Sequence, residues 1–327
     1  MSKIQYSPLN RIAKNIILID GISRTGKLLL GSLVSSFDKM EHLEFGENFE
    51  FIVPAIRLKK IDLNFGNAYL NNYLNMLMYN KYLSRNVNFR PNDRTGIDKS
   101  KNPKVYYERL KAEEGDKIIK LIKKQKHFLP IVTHDIAVNL DILIKMKMNF
   151  KIIEIIRNPV DVVYSWYKRG LGVRYGNDPR VFTLLVEKNK KIYPWYNALK
   201  EYKDNKYNDC EKCVEHVLNL NKQATLNLRN NHLNKNVLIT TYEDLTNNPL
   251  IELKKIAKFL GTKTNKQTIK FIRREKLSLK KDIFQSQQKF NKKVNLLKTL
   301  CSKKIFQKLM ILNEKYEKNF YKIKLSK

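Results

Sequence analysis

Cysteine is scarce. Three stand in 327 residues, Cys210, Cys213 and Cys301, and an odd, low count argues against a disulfide framework. The segment "CEKC" is a lone C-x-x-C followed by His216. A zinc site needs two more well-placed ligands, so helical spacing on a basic segment is the simpler account. No apolar run approaches the ~18 residues of a membrane span. The N-terminus "MSKIQYSPLNRIAKNIILIDG" has basic residues, but its short apolar stretch runs directly into a glycine loop and reads as a strand, not a signal sequence; a cytoplasmic location is the expectation. There is no low-complexity linker and no internal repeat, which leaves one domain over residues 1–327. Acidic residues are also few: 31 against 64 Lys and Arg, for a formal net charge of +33. Such an excess favours anionic partners such as nucleic acid, acidic polysaccharide or a phosphorylated cofactor. An AT-rich genome yields the same Lys-, Asn- and Ile-rich composition, so charge alone does not choose. Hydrophobic residues make up 43%, enough for a substantial core.

The pattern alternates strands with helices. "NIILID", "HFLPIVTH", "NFKIIEIIR" and "NVLITTYEDL" read as strands by length and β-branched content, and "FEFIVPAI" as a further short one. "KLLLGSLVSSF", "DIAVNLDILIKMK", "NPVDVVYSWYKR", "VEHVLNLNKQATLNLR" and "NPLIELKKIAKFLG" read as helices. Pro159 falls in a first turn, where its missing N–H costs nothing, and Gly261 closes a last turn. This implies an α/β fold: a parallel sheet with helices on both faces. Between the second and third strands, about residues 57–126, helical spacing in "NAYLNNYLNMLMYNKYL" and "YYERLKAEEGDKIIKLIKKQ" flanks the turn-rich "RNVNFRPNDRTGIDKSKNP". That region reads as a helical insertion, and about 294–327 as a basic helical tail.

The loop "GISRTGKLLL" meets the nucleotide-triphosphate pattern G-x-x-x-x-G-K-(S/T) from Gly21 to Lys27, then fails at Leu28. A strand turning through glycines into a helix points backbone N–H groups at one spot, and the helix dipole adds positive charge there. Arg24 and Lys27 add two cations. The metal-binding hydroxyl is absent because Leu28 has no oxygen, and the expected strand-end Asp is missing or doubtful: "NFKIIEIIR" ends in Arg157, and Asp135 lies just beyond "HFLPIVTH". Anion transfer without a metal is the favoured chemistry. Arg157 ends a strand, and Ser165 lies two helical turns on. A forked cation with one hydroxyl donor suits a phosphate.

Together these motifs resemble the sulfotransferases that use 3′-phosphoadenosine 5′-phosphosulfate. Their 5′-phosphosulfate loop reads G-x-x-(R/K)-(S/T)-G-(T/S), matched by Gly21, Arg24, Thr25 and Gly26. Their 3′-phosphate motif reads R-x-P-x-D-x-x-x-S, matched by Arg157, Pro159, Asp161 and Ser165, with Trp166 and Tyr167 beyond. "VLITTYEDLTNNPLIELKKIAKFLG" is similar to the family's Y-E-D-L, N-P and F-L-G run. The resemblance spans about Asn15 to Gly261, without the insertion. It implies a P-loop nucleotide-hydrolase-like fold and a donor cradled by Ser23, Arg24, Thr25, Gly26, Lys27 and Leu28, with Arg157 and Ser165 on the 3′-phosphate. It also implies no metal requirement. Lys27 departs from the family's Thr or Ser; it can replace that donor with an ammonium or turn away.

Sulfuryl transfer needs a base for the acceptor hydroxyl. His134 is the first candidate: it ends a strand expected to lie beside the one ending in Arg157. Thr133-His134 resembles the pair found here in small-molecule members, although Val132 stands where a Lys usually precedes it. Carbohydrate-acting members often use a Glu after the first helix, and "EHLEFGENFEF" offers Glu41, Glu44, Glu47 and Glu50 without a choice among them. "FIRREKLSLKK", with Arg273 and Arg274, is a loose match to a basic segment closing over the 3′-phosphate; a solvated charge run is its plainer reading. The insertion and the aromatic stretch from Tyr175 and Asn177 to Tyr196 are expected to shape the acceptor pocket, with a carbohydrate hydroxyl narrowly preferred over a phenol. Two other functions stay open. A P-loop kinase using ATP and Mg²⁺ leaves Leu28 and Arg157–Ser165 unexplained. A basic nucleic-acid-binding protein lacks any recognition motif.

Overall fold

In the computed structural model, the described residues are 6, 10–175, 178–198, 206–229, 235–277 and 283–325. The strands are β1 (Asn15–Asp20), β2 (Glu44–Phe45), β3 (Phe128–Val132), β4 (Phe150–Ile156), β5 (Leu185–Lys188), β6 (Lys191–Pro194) and β7 (Val237–Thr241). The helices are α1 (Lys27–Val34), α2 (Glu47–Arg57), α3 (Leu63–Tyr82), α4 (Pro103–Arg109), α5 (Asp116–Gln125), α6 (Leu140–Lys145) and α7 (Pro159–Arg169). They continue with α8 (Asp209–Leu228), α9 (Tyr242–Asn247), α10 (Pro249–Leu260), α11 (Lys266–Arg274), α12 (Ile283–Leu300) and α13 (Lys303–Leu325).

Five strands form one parallel sheet in the order β2-β3-β1-β4-β7. β5 and β6 make a separate antiparallel hairpin. Side-chain alternation divides the central strands between two cores. Ile17, Ile19, Ile153 and Ile155 pack with α1, α10 and α11. Ile16, Leu18 and Ile152 pack with α2, α3, α5 and α6. A third cluster joins α7 and α8 to the tail helices α12 and α13. Both faces are thus covered, which is why the strands read as nearly continuous apolar runs.

"FEFIVPAI" is not a strand. It lies within α2, and the sheet position next to β3 goes to the two-residue β2. Phe49 and Val53, four residues apart, are fully buried on one helix face, each worth ~1.5–3 kcal/mol of burial. Together they offset the ~3 kcal/mol cost of a proline inside a helix, here Pro54. Glu47 and Glu50 in the first turn complement the helix dipole. β-branched content misleads here because tertiary burial decides.

The segment from 57 to 126 carries α3, α4 and α5, and a buried charge cluster ties it to the sheet. Glu41 accepts two bonds from Arg109 of α4 (2.8 and 2.9 Å), one from the Tyr106 hydroxyl (2.9 Å), and contacts His127 Nδ1 at 2.6 Å. Full pairing is what makes a carboxylate this deep tolerable. α7 begins at Pro159, capped by Asn158, whose side chain accepts from the Val160 and Asp161 N–H groups. α10 ends at Gly261 in the left-handed region, φ 77°. "YEDL" opens helix α9; it does not extend β7. No helix among the described residues is long and apolar enough to cross a membrane.

Candidate active site

Parallel strands end on a common side, and loops at their carboxyl ends form the crevice where such folds bind ligands. His134 follows β3 and Arg157 follows β4, as the sequence indicates. The two strands are not neighbours, however: β1 lies between them. The loop Gly21–Gly26 after β1 therefore separates two sets of side chains.

The loop is held by close packing. A Cβ at Gly21 would lie 2.4 Å from the Ile155 carbonyl oxygen, and one at Gly26 2.6 Å from the Tyr242 ring. Both glycines have positive φ, 148° and 107°, and Arg24 adopts the left-handed region at φ 76°. A non-glycine residue held there is strained, a feature that clusters at functional sites. Thr25 Oγ1 donates to the Ile22 carbonyl at 2.8 Å, and the Trp166 indole donates to the Ser23 carbonyl at 2.8 Å. No side chain caps the N-terminus of α1, so its end is suited to an anion.

On the β4 side, cations gather. Arg24 Nε donates to Ser165 Oγ at 3.0 Å, and Arg157 Nη1 donates to the Arg24 carbonyl at 3.2 Å. The Arg157 guanidinium lies 4.2 Å from the Tyr242 ring centroid, a cation–π contact. Burial, then the like charges of Arg169 and Arg157, hold the Arg24 pKa below its ordinary value. Asp161 faces Arg157 at 3.5 Å but is shared with Lys293. Arg157 Nε is buried with no hydrogen-bond partner among the described residues. Three clustered guanidiniums against two carboxyl groups, Asp161 shared with Lys293 and Glu243 bonded by the Asn158 N–H, fit a phosphorylated ligand.

Beneath the loop and toward β3, acids gather. The β1–β4 register sets Asp20 beside Glu154, and both are buried. Asp20 accepts from Thr133 Oγ1 (3.0 Å) and the Ala137 N–H (2.8 Å). Asp135, left-handed at φ 59°, and Glu50 of α2 complete the group. Burial is the first cause that pushes Glu154 well above the carboxylate range and Asp135 up to about 8. Lys27 points into this cluster. Its ammonium is buried and donates to the Gly21 carbonyl at 2.5 Å. Desolvation lowers its pKa, against the raising pull of Asp135, Asp20, Glu50 and Glu154. Of the loop's two cations, Arg24 faces Ser165 and Lys27 faces inward.

Two candidate bases meet here. His134 Nδ1 lies 2.7 Å from Glu50 Oε1. Burial, then the Lys27 ammonium, lowers the histidine's pKa; its side chain is still 37% open to solvent, which limits how far burial acts. Burial pushes Glu50 up to about 8. Glu41 is engaged with Arg109 and Glu44 with the buried Lys81, while Glu47 is exposed and acts on His134 only through its charge. Beside the pair opens a cavity of about 210 Å³, lined at its base by Glu50, His134 and Ser23 and on its walls by Trp166, Phe182 and Tyr196.

Leu28 packs its side chain against the core on the α1 face, so that only its backbone can face a ligand. Arg274 of α11 stacks on Phe271 at 3.8 Å and donates to Ser32 Oγ at 2.8 Å. Residues 278–281 of "FIRREKLSLKK", and Asn177, lie outside the described residues. The buried acids Asp20 and Glu154 were not foreseen, though the signal was present: a carboxyl inside an apolar strand, "NIILID" or "IIEII", marks a buried charge.

A central parallel sheet, a glycine loop between strand and helix, and a guanidinium cluster beside that loop define a P-loop-like α/β protein built to handle an anionic group. The family model "Sulfotransferase domain" matches residues 14–311. The chain belongs to the sulfotransferase family and is an enzyme of that class, one that transfers sulfuryl groups. Among solved structures it is similar to the sulfotransferase domain from the curacin biosynthetic pathway: 13% identity, 79% of this chain and 77% of that one, TM-score 0.43. It is similar also to the sulfotransferase domain of the Synechococcus PCC 7002 olefin synthase: 15% identity, 81% and 80% coverage, TM-score 0.43. The mouse sulfotransferase SULT7A1 complexed with PAP matches at 14% identity, covering 80% of this chain and 64% of that one, TM-score 0.35. A search of curated protein sequences finds no match.

Proposed function

We propose that the enzyme uses 3′-phosphoadenosine 5′-phosphosulfate as donor and a carbohydrate hydroxyl as acceptor, within one domain in which α3–α5 are an insertion. The observation that carries the reading is the convergence of Arg24, Ser165 and Arg157 beside an uncapped helix N-terminus. The bound donor supplies an electrophilic sulfur and a phosphate leaving group. Arg24 and the loop N–H groups would bind the 5′ end, and Arg157 with Ser165 the 3′-phosphate. Fixed cations and N–H dipoles of this kind stabilise charge that develops on a leaving oxygen.

His134 Nε2 would take the acceptor's proton while Nδ1–H donates to Glu50. The free Nε2 exists once the proton shared by the pair has left: then Glu50 is a carboxylate and His134 neutral. Glu50 holds the imidazole in that tautomer and stabilises the imidazolium that forms, an arrangement general to base–orienter pairs. Lys27 has a supporting role: its ammonium offsets the acids beneath the loop. The cavity admits a compact ring, and the aromatic walls at Trp166, Phe182 and Tyr196 suit the C–H face of a sugar. Labelled-sulfate transfer screened over sugars, phenols and lipid alcohols tests this. Transfer to sugars is the expected result; transfer confined to phenols overturns the carbohydrate assignment.

A further inference from the structure

The helical tail reaches the donor-binding motif by two separate relays. From α12, Lys293 Nζ lies 2.5 Å from Asp161 Oδ1. The other oxygen of Asp161 faces Arg157 Nη2 at 3.5 Å. From α13, the Tyr316 hydroxyl donates to Glu243 Oε2, and Glu243 Oε1 accepts the backbone N–H of Asn158 at 3.2 Å. The relays thus end on consecutive residues, Arg157 and Asn158, and Asn158 is the residue that caps α7. Neither Lys293 nor Tyr316 belongs to the sequence motif.

Their chemistry answers a problem the motif creates. Asp161 stands one helical turn from Arg157, and a carboxylate free to form a short fork with the guanidinium would compete with a phosphate for it. Lys293 makes the closer contact and draws Asp161 to itself. Arg157 is then oriented by a long ion pair, by the Tyr242 ring and by the Arg24 carbonyl, while its Nε keeps no partner among the described residues. Asp161 and Lys293 have side chains only 18% and 27% exposed, so solvent screening weakens this pair less than a surface one. Glu243 fixes the start of α7 and hence the height of Ser165 along it.

We propose that Lys293 and Tyr316 are positioning residues, through which the C-terminal helices hold Arg157 and α7 ready for a 3′-phosphate. The inference rests on the assignment of Arg157 to that phosphate. The test is calorimetric titration with 3′-phosphoadenosine 5′-phosphate and with adenosine 5′-monophosphate, which differ by the 3′-phosphate alone. Lys293→Met should lower the preference for the first ligand about three- to tenfold, and Lys293→Arg should restore it. Tyr316→Phe should give a smaller loss in the same sense. Thermal unfolding of each variant identifies one that fails to fold, and Tyr316→Phe then carries the comparison against wild type, where an unchanged preference overturns the proposal. Equal weakening of both ligands, or an unchanged preference in Lys293→Met where Arg157→Ala loses it, overturns the proposal. An unchanged preference in Arg157→Ala removes the assignment beneath it.

Discussion

The two sides of the loop after β1 have opposite electrostatics. Toward β4 stand Arg24, Arg157 and Arg169, with Asp161 as a shared partner. Toward β3 stand Glu50 and Asp135, and beneath the loop Asp20 of β1 lies beside Glu154 of β4; the buried ammonium of Lys27 is among all four. One sheet edge therefore presents a cationic group and an acidic group on either side of the loop. Sulfuryl transfer needs both: cations where the donor's phosphates lie, and a group with proton affinity where the acceptor's hydroxyl arrives. The division also accounts for Lys27. A lysine turned toward the donor would leave the buried Asp20 and Glu154 without that neighbouring cation.

The comparison can be broken most severely at His134. His134→Ala should lower single-turnover transfer ~10²–10⁴-fold and leave the affinity for 3′-phosphoadenosine 5′-phosphate at its wild-type value. Loss of nucleotide affinity in this variant would put His134 in the donor half. The complementary variant is Arg157→Ala. Its affinity for 3′-phosphoadenosine 5′-phosphate should fall ~10–100-fold, the worth of charge-assisted hydrogen bonds, against little change for adenosine 5′-monophosphate.

A smaller effect concerns Glu50 and pH. The pair must lose one proton to free Nε2, and burial raises the pKa at which it does so. An unperturbed histidine alone would give a rate that rises through ~6.5. The pair should instead give a rate that rises with pH through about 8. Glu50→Gln, which cannot take that proton, should remove this limb and lower the plateau about tenfold. An identical pH profile in the two proteins would show that Glu50 does not titrate with the base.

The smallest effect is on stability. Glu154 and Asp135 have pKa values raised in the folded state, so between their unfolded and folded values the native state binds more protons. Unfolding free energy then falls as pH rises through that window. Glu154→Gln should relieve part of this loss at the alkaline end and flatten the dependence of Tm on pH. A wild-type Tm that climbs with pH across the window would contradict the burial argument.

The donor half was largely legible in the sequence, and the acid half was not. Gly21, Arg24, Thr25 and Gly26 sit within one turn of chain, and Arg157 and Ser165 just before and within one helix, so local spacing alone brings them near a ligand. Strand alternation likewise conveyed the parallel sheet, because buried strands have a period and length of their own. Glu50 meets His134 at a sequence separation of 84, and nothing local distinguishes it from Glu41, Glu44 or Glu47. Its place depends on α2 being a helix, where composition suggests a strand. Strand order is a tertiary property too, which is why β3 and β4 read as neighbours until β1 was found between them. Lys293 and Tyr316 come from a tail whose amphipathic pattern says only that it packs.

The division of the sheet edge is tested most directly by a crystal structure of the protein with 3′-phosphoadenosine 5′-phosphate. The account predicts the 3′-phosphate within hydrogen-bonding distance, ~2.7–3.2 Å, of Arg157 and Ser165, the 5′-phosphate at Arg24 and the N-terminus of α1, and Lys27 still directed at the Gly21 carbonyl. A phosphate bound instead by Lys27 and His134, on the β3 side of the loop, would contradict it.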